Sequence, residues 1–348
     1  MTTSGLLNPA IKSLTILNES TPTIDPQVEA QIRKAYNAWL VKSPSADTRS
    51  NYQRDLSQFL AYYDYKLNDV GKLAAVESHH IAAWRDYLAA EKLSPSSIRR
   101  KLTVLRSLFS YLQIDGLIRK NPAHPNFVST PPAPEEGKTV GLTRADCRRL
   151  LEAPEVTETK ELPDGTKQDI PIPVGTRDRA LLAVLAYTAC RVGEVTRLRV
   201  GDYRQTDGHN VLQVMGKGGK ERRVPLNPQA AQRLEAWLKI AGIRHDLAGP
   251  MFRPLKSSRK KAKDEFAVRP LSRRAIQVIV KDYARDLNLD PHFTVHSLRV
   301  TALTTARQLG SDIIELRDFA GHADPRTTLT YIRNRDQLDE SPAYVIKY

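Results

Sequence analysis

The chain of 348 residues carries 53 Lys and Arg against 39 Asp and Glu, a formal net charge of +14, with 41% apolar residues. That apolar share excludes a disordered chain, the length suggests two domains, and the excess charge favours a polyanionic partner, nucleic acid ahead of a membrane surface. Two cysteines, Cys147 and Cys190, give no disulfide framework and no metal cluster, which points to a reducing, cytoplasmic compartment. The longest apolar run, Ala180 to Cys190, is too short to cross a bilayer, and no secretory signal is read at the N-terminus.

Residues 1–25 are polar without a period and read as a flexible arm. Four helical segments follow and make a small all-α domain over residues 26–120. The first spans Pro26 to Val41. The second starts at the cap candidate Ser45 and sets Tyr52, Leu56, Phe59, Leu60 and Tyr63 on one stripe. A third carries Ile81, Trp84 and Leu88. The fourth opens with Ser94-Pro95, a cap followed by proline at the first helical position. Its apolar face holds Ile98, Leu102, Leu105, Phe109 and Leu112. Another face holds Arg99 and Arg106 and suits either solvent or a phosphate backbone. Five prolines between Asn121 and Gly141 then predict an extended linker and a domain boundary.

The second domain, residues 142–335, begins with a capped helix from Thr143 to about Leu151. Residues 155–175 read as a surface excursion turning at Pro163-Asp164-Gly165. The helix from Thr176 to Thr188 is apolar on almost every side and should be the buried centre. Val211–Met215 and Glu221–Leu226 flank Gly216-Lys217-Gly218-Gly219-Lys220 as a β-hairpin with a glycine-rich tip. Helices near Pro228–Ala241 and Ser272–Leu287 precede a helix capped at Thr294 and closed by Gly310, then a short helix and a turn at Gly321-His322.

Certain side chains in this domain suit phosphoryl chemistry. His296 and Arg299 stand three apart, on one face of a helix. His322 and Tyr331 follow, nine residues apart. A guanidinium binds a phosphate bidentately, imidazoles hydrogen-bond its oxygens, and a phenol attacks phosphorus. Arg191 ends the buried helix, where an unpaired cation is costly; Glu194 is either its simple partner or part of a site. The segment Lys256-Ser257-Ser258-Arg259-Lys260-Lys261-Ala262-Lys263 is a solvated loop or a phosphate-contacting one.

The ordered set of Arg191, a hairpin lysine, His296-Ser297-Leu298-Arg299, Gly321-His322 and Tyr331 resembles the tyrosine recombinase, or phage integrase, family. Xer-type and transposon-borne integrases are the nearest in pattern. The resemblance covers about residues 28 to 335. It implies a mainly α fold with a small antiparallel β-hairpin, in which a helical SAM-like core-binding domain precedes a mixed α+β catalytic domain. It also implies Tyr331 as nucleophile forming a 3′-phosphotyrosine, Arg191 and Arg299 as phosphate clamps, and His296 and His322 as hydrogen-bonding partners. Lys217 is the implied general acid, with Lys220 as the other candidate. Neither metal nor ATP is required, so no cofactor is implied. The implied partner is double-stranded DNA with specific recombination sites, bound by a homotetramer spanning two sites. The tail, residues 336–348, docks on a neighbouring protomer or on its own domain. Two departures stand out: Cys190 where leucine is usual, and Val300 where a second histidine is common. Two other readings are a type IB topoisomerase-like relaxer and a non-catalytic DNA-binding regulator.

Overall fold

The computed structural model of the chain describes residues 24–132, 139, 141–216, 219–256 and 265–332, and the side chains at 331 and 332 are not among the described groups. The predicted arm up to residue 23, the tail, Lys217, Arg259, Lys260, Lys261 and Lys263 therefore lie outside the described residues. The chain separates into two compact units, Met1–Glu135 and Glu136–Tyr348.

The first unit holds α1 (Pro26–Lys42), α2 (Ala46–Tyr62), α3 (Ser78–Ala90) and α4 (Pro95–Ile114). Three of these helices start where the chain supplies a side-chain acceptor for an orphan N–H. Asp25 accepts from Gln27 at 2.8 Å, Ser45 from Thr48 at 3.4 Å and Ser94 from Ser97 at 3.3 Å. Their apolar stripes meet in one core around Leu56, Phe59, Trp84, Leu105 and Phe109. A 3₁₀ segment, Leu67–Ala75, was not anticipated, being too short to show a helical period. It lies against α1 at Gly71, where a Cβ would stand 2.7 Å from that of Glu29.

The proline-rich stretch is not an extended spacer over its first part. Residues 121–128 form turns whose Ala123 and Val128 enter the core. Arg106 donates from Nε to the Ala123 carbonyl (2.8 Å) and from Nη2 to that of Val128 (2.7 Å). Arg99 donates to Pro131 O at 2.8 Å. Buried carbonyls need donors, and these arginines supply them.

In the second unit, α5 (Arg144–Glu152) leads to β1 (Thr157–Glu161) and β2 (Lys167–Pro171), an exposed hairpin where the sequence suggested an excursion. Next comes α6 (Pro173–Thr188), buried along nearly all its length as its composition predicts. The short α7 (Val192–Val195) precedes β3 (Tyr203–Thr206), β4 (His209–Met215) and β5 (Glu221–Pro225). These strands pair antiparallel in chain order, with Leu212 opposite Val224 and Val214 opposite Arg222. The sequence read only two of them. α8 (Pro228–Ile240) packs on α6, and Trp237 Nε1 donates to Met251 O at 2.8 Å inside that core. The unit closes with α9 (Arg273–Asp286), α10 (Val295–Gln308), α11 (Ile313–Ala320) and α12 (Pro325–Ile332). α10 packs on α6, α11 and α12, which assembles the candidate site.

Candidate active site

The site starts where α6 stops. Ala189 takes a left-handed conformation (φ 49°, ψ 21°), which breaks the helix and turns its carbonyl onto Arg299 Nη1. Two residues on, Arg191 opens α7. Its backbone N–H donates to Glu194 Oε2 (2.9 Å) and its Nη1 to Oε1 (3.0 Å). Arg222, on β5, donates from Nη2 to the same Oε2 at 2.8 Å. Glu194 is thus a buried carboxylate held by two guanidiniums. Burial alone would raise its pKa, but the hydrogen bonds and charges of Arg222 and Arg191 outweigh that and hold it below the ordinary value. Arg191 itself remains 39% exposed.

At the start of α10, Ser297 Oγ accepts the Thr294 backbone N–H at 3.1 Å. One turn into this helix Arg299 is 1% exposed, with Nη2 donating to Ala320 O (2.7 Å) and standing 2.7 Å from His322 Nε2. Ala320 ends α11, which stops because Gly321 adopts a left-handed φ of +63°. That glycine delivers His322 to Arg299. A guanidinium has donors only, so Nε2 of His322 accepts, and its ring proton lies on Nδ1, facing Thr328 Oγ1 at 2.9 Å. Desolvation, then the charges of Arg299, Arg191 and Arg222, push the His322 pKa down to about 4. His296 is exposed, yet partial desolvation by its surroundings and the charges of Arg299 and Arg191 lower its pKa too. Both imidazoles are therefore neutral at neutral pH.

The fold brings Arg191, Glu194, His296, Arg299 and His322 into one electrostatic neighbourhood and puts Tyr331 on α12, the same eight-residue helix that presents Thr328 to His322. Lys220 is exposed beside the hairpin tip, and Lys256 is exposed and paired with Glu265 at 2.8 Å. Arg99 and Arg106 belong to the first unit, where both turn guanidinium donors onto carbonyls of the stretch after α4, Arg99 to Pro131 O and Arg106 to Ala123 O and Val128 O. The sequence reading missed Arg222. The signal was present in the alternation of Glu221–Leu226, where inward Val224 makes residue 222 inward as well. Among the described residues no cluster of three or more His, Cys, Asp or Glu is placed to hold a metal ion. Nor is any described helix long and apolar enough to cross a membrane.

Residues 149–337 match the phage integrase family, and residues 36–116 match its N-terminal SAM-like domain. The chain belongs to the phage integrase family. Tyrosine recombinase XerD of Listeria innocua serovar 6a is 31% identical to it over 83% of this chain and 89% of that protein. XerD of Pseudomonas aeruginosa is 31% identical over 84% and 88%, and tyrosine recombinase XerC of Pelobacter propionicus 30% over 82% and 84%. Membership makes the chain a tyrosine-type site-specific recombinase, the enzyme class expected from the sequence. Solved structures share the integrase fold at low identity. A lambda integrase fragment (75–356), a dimer bound to a COC′ core site, matches with a TM-score of 0.62 and 16% identity over 90% of this chain and 99% of that one. XerH bound to its difH substrate matches with a TM-score of 0.59 and 21% identity over 89% and 80%.

Proposed function

We propose that this integrase-family chain cuts and rejoins double-stranded DNA at specific sites through Tyr331, with Arg191, His296, Arg299 and His322 as its phosphate site. The observation that carries this reading is the cluster of two arginines and two neutral imidazoles around the Ala189 and Gly321 turns, next to the helix bearing Tyr331. Arg191 is the more exposed of the two guanidiniums and meets the phosphate. Arg299, buried and fixed by two carbonyls, adds positive charge that favours the developing phosphorane oxygens. The phenol Oη of Tyr331 bonds to phosphorus while the bond to the 5′-oxygen breaks, leaving a 3′-phosphotyrosine. Neutral His296 takes the phenol proton, and Lys217 or Lys220 gives one to the departing 5′-oxygen. Reversal by another strand's 5′-hydroxyl rejoins the backbone, so neither metal nor ATP enters.

Lys220, Lys256, Arg259, Lys260, Lys261 and Lys263 are proposed backbone contacts, consistent with a net charge of +14. Solved relatives bound to DNA substrates support DNA as the partner. A homotetramer on two sites is the assembly we infer for strand exchange, with the tail docking in trans. The test uses a nicked duplex that the protein itself selects from a randomised pool. An SDS-resistant protein–DNA band should form with the wild type and vanish with Tyr331→Phe, while duplex binding persists. A covalent band from Tyr331→Phe at undiminished yield removes Tyr331 as nucleophile. Relaxation of any supercoiled plasmid without exchange between two selected sites would favour the topoisomerase-like reading.

A further inference from the structure

We propose that Arg222 is a positioning residue of the phosphate clamp: it orients Arg191 through Glu194 and braces the Gly321 turn that presents His322. The inference rests on the recombinase reading above and adds a residue to it. Arg222 occupies an inward strand position, opposite the fully buried Val214, and its side chain is only 14% exposed. A cation there is costly unless its partners are fixed. Its Nη2 donates to Glu194 Oε2 at 2.8 Å and lies 3.6 Å from Cys190 Sγ. Glu194 turns its other oxygen to Arg191 Nη1, so the carboxylate transmits the orientation of one guanidinium to the next.

The opposite side of Arg222 meets the other half of the site. A Cβ on Gly321 would stand 3.0 Å from Arg222 Nη1 and 3.2 Å from its Cδ and Cζ. The left-handed φ of Gly321 and this close approach together require glycine at the turn. A Cβ on Gly216, next to the hairpin tip, would be 3.7 Å from the same Nη1. One guanidinium therefore touches the residue before Arg191 and its carboxylate partner, and lies beside both the end of β4 at the hairpin tip and the turn before His322. Among the described residues of the expected catalytic set, none spans these elements in that way. A planar fork suits the task and an ammonium does not, because a single point donor cannot fill both sides.

The experiment measures the rate of covalent complex formation on the selected nicked duplex at saturating protein, alongside the dissociation constant of that duplex. Arg222→Met should slow covalent trapping at least tenfold while the dissociation constant stays within twofold. Arg222→Lys should recover part of the rate by restoring the contact to Glu194. Gly321→Ala, which intrudes on the guanidinium from the other side, should slow trapping without weakening binding. Wild-type trapping kinetics in Arg222→Met would overturn the inference. So would a parallel loss of binding, trapping and cooperative unfolding, since that marks a residue needed only for the fold. If the wild type itself traps no DNA, the recombinase reading fails instead, and the two failures are separable.

Discussion

Arg299 Nη2 stands 2.7 Å from His322 Nε2, and since arginine can only donate, the histidine is held neutral with its proton on Nδ1. The pair has a measurable consequence for stability. The folded pKa of His322 is about 4, below the ordinary 6.5, and His296 shifts in the same direction. As pH falls below about 6.5 the unfolded chain binds the proton first, so stability present above that value is lost progressively down to about 4. For His322 alone the full loss is about 3 kcal/mol. Urea unfolding at pH 7 and pH 5 should show a smaller pH dependence in His322→Gln than in the wild type. Equal dependence in both would mean that another group sets it.

Thr328 is fully buried and its hydroxyl faces Nδ1 of His322 at 2.9 Å. Thr328→Val keeps the shape and removes the acceptor, leaving a buried N–H unsatisfied at a cost of about 1–3 kcal/mol. Thermal unfolding should register that loss. Covalent trapping should fall about tenfold if the ring is freed to turn away from Arg299, as expected for a loss on the order of 1.4 kcal/mol.

Glu194 lies between Arg191 and Arg222, so its removal exposes two guanidiniums to each other in a buried setting. Glu194→Ala should destabilise the chain by about 3 kcal/mol, near the lower end for breaking a buried pair because Arg191 is partly solvated. Glu194→Gln keeps the side chain's length and one acceptor oxygen while losing the charge and the other acceptor, and should lose less than Glu194→Ala. Calorimetric melting of both variants decides it; a wild-type melting temperature for Glu194→Ala would contradict the pairing.

In the first unit, Arg106 satisfies the carbonyls of Ala123 and Val128, which tether the stretch after α4. Arg106→Ala should cost about 2 kcal/mol and make residues 121–132 cleavable by protease in the full-length chain. Protection of that stretch in the variant would show that the apolar contacts of Ala123 and Val128 hold it unaided.

What the sequence determined by itself is local or ordinal. Cap residues, apolar stripes and the all-apolar Ala180–Tyr187 run set the helices, because helix starts and amphipathic periods depend on residues within a few positions. The order of Arg191, His296, Arg299, His322 and Tyr331 pointed to the phage integrase family, and it suits phosphoryl chemistry because guanidiniums and imidazoles bind phosphate oxygens and a phenol can attack phosphorus. Tertiary structure alone decided how they are joined. Arg299 and His322 are 23 residues apart, Glu194 and Arg222 28, and Arg299 and Ala189 110, so these hydrogen bonds have no sequence period to reveal them. For the same reason Arg106 looked like a surface cation: the carbonyls it serves lie on a stretch that only folding brings back against α4.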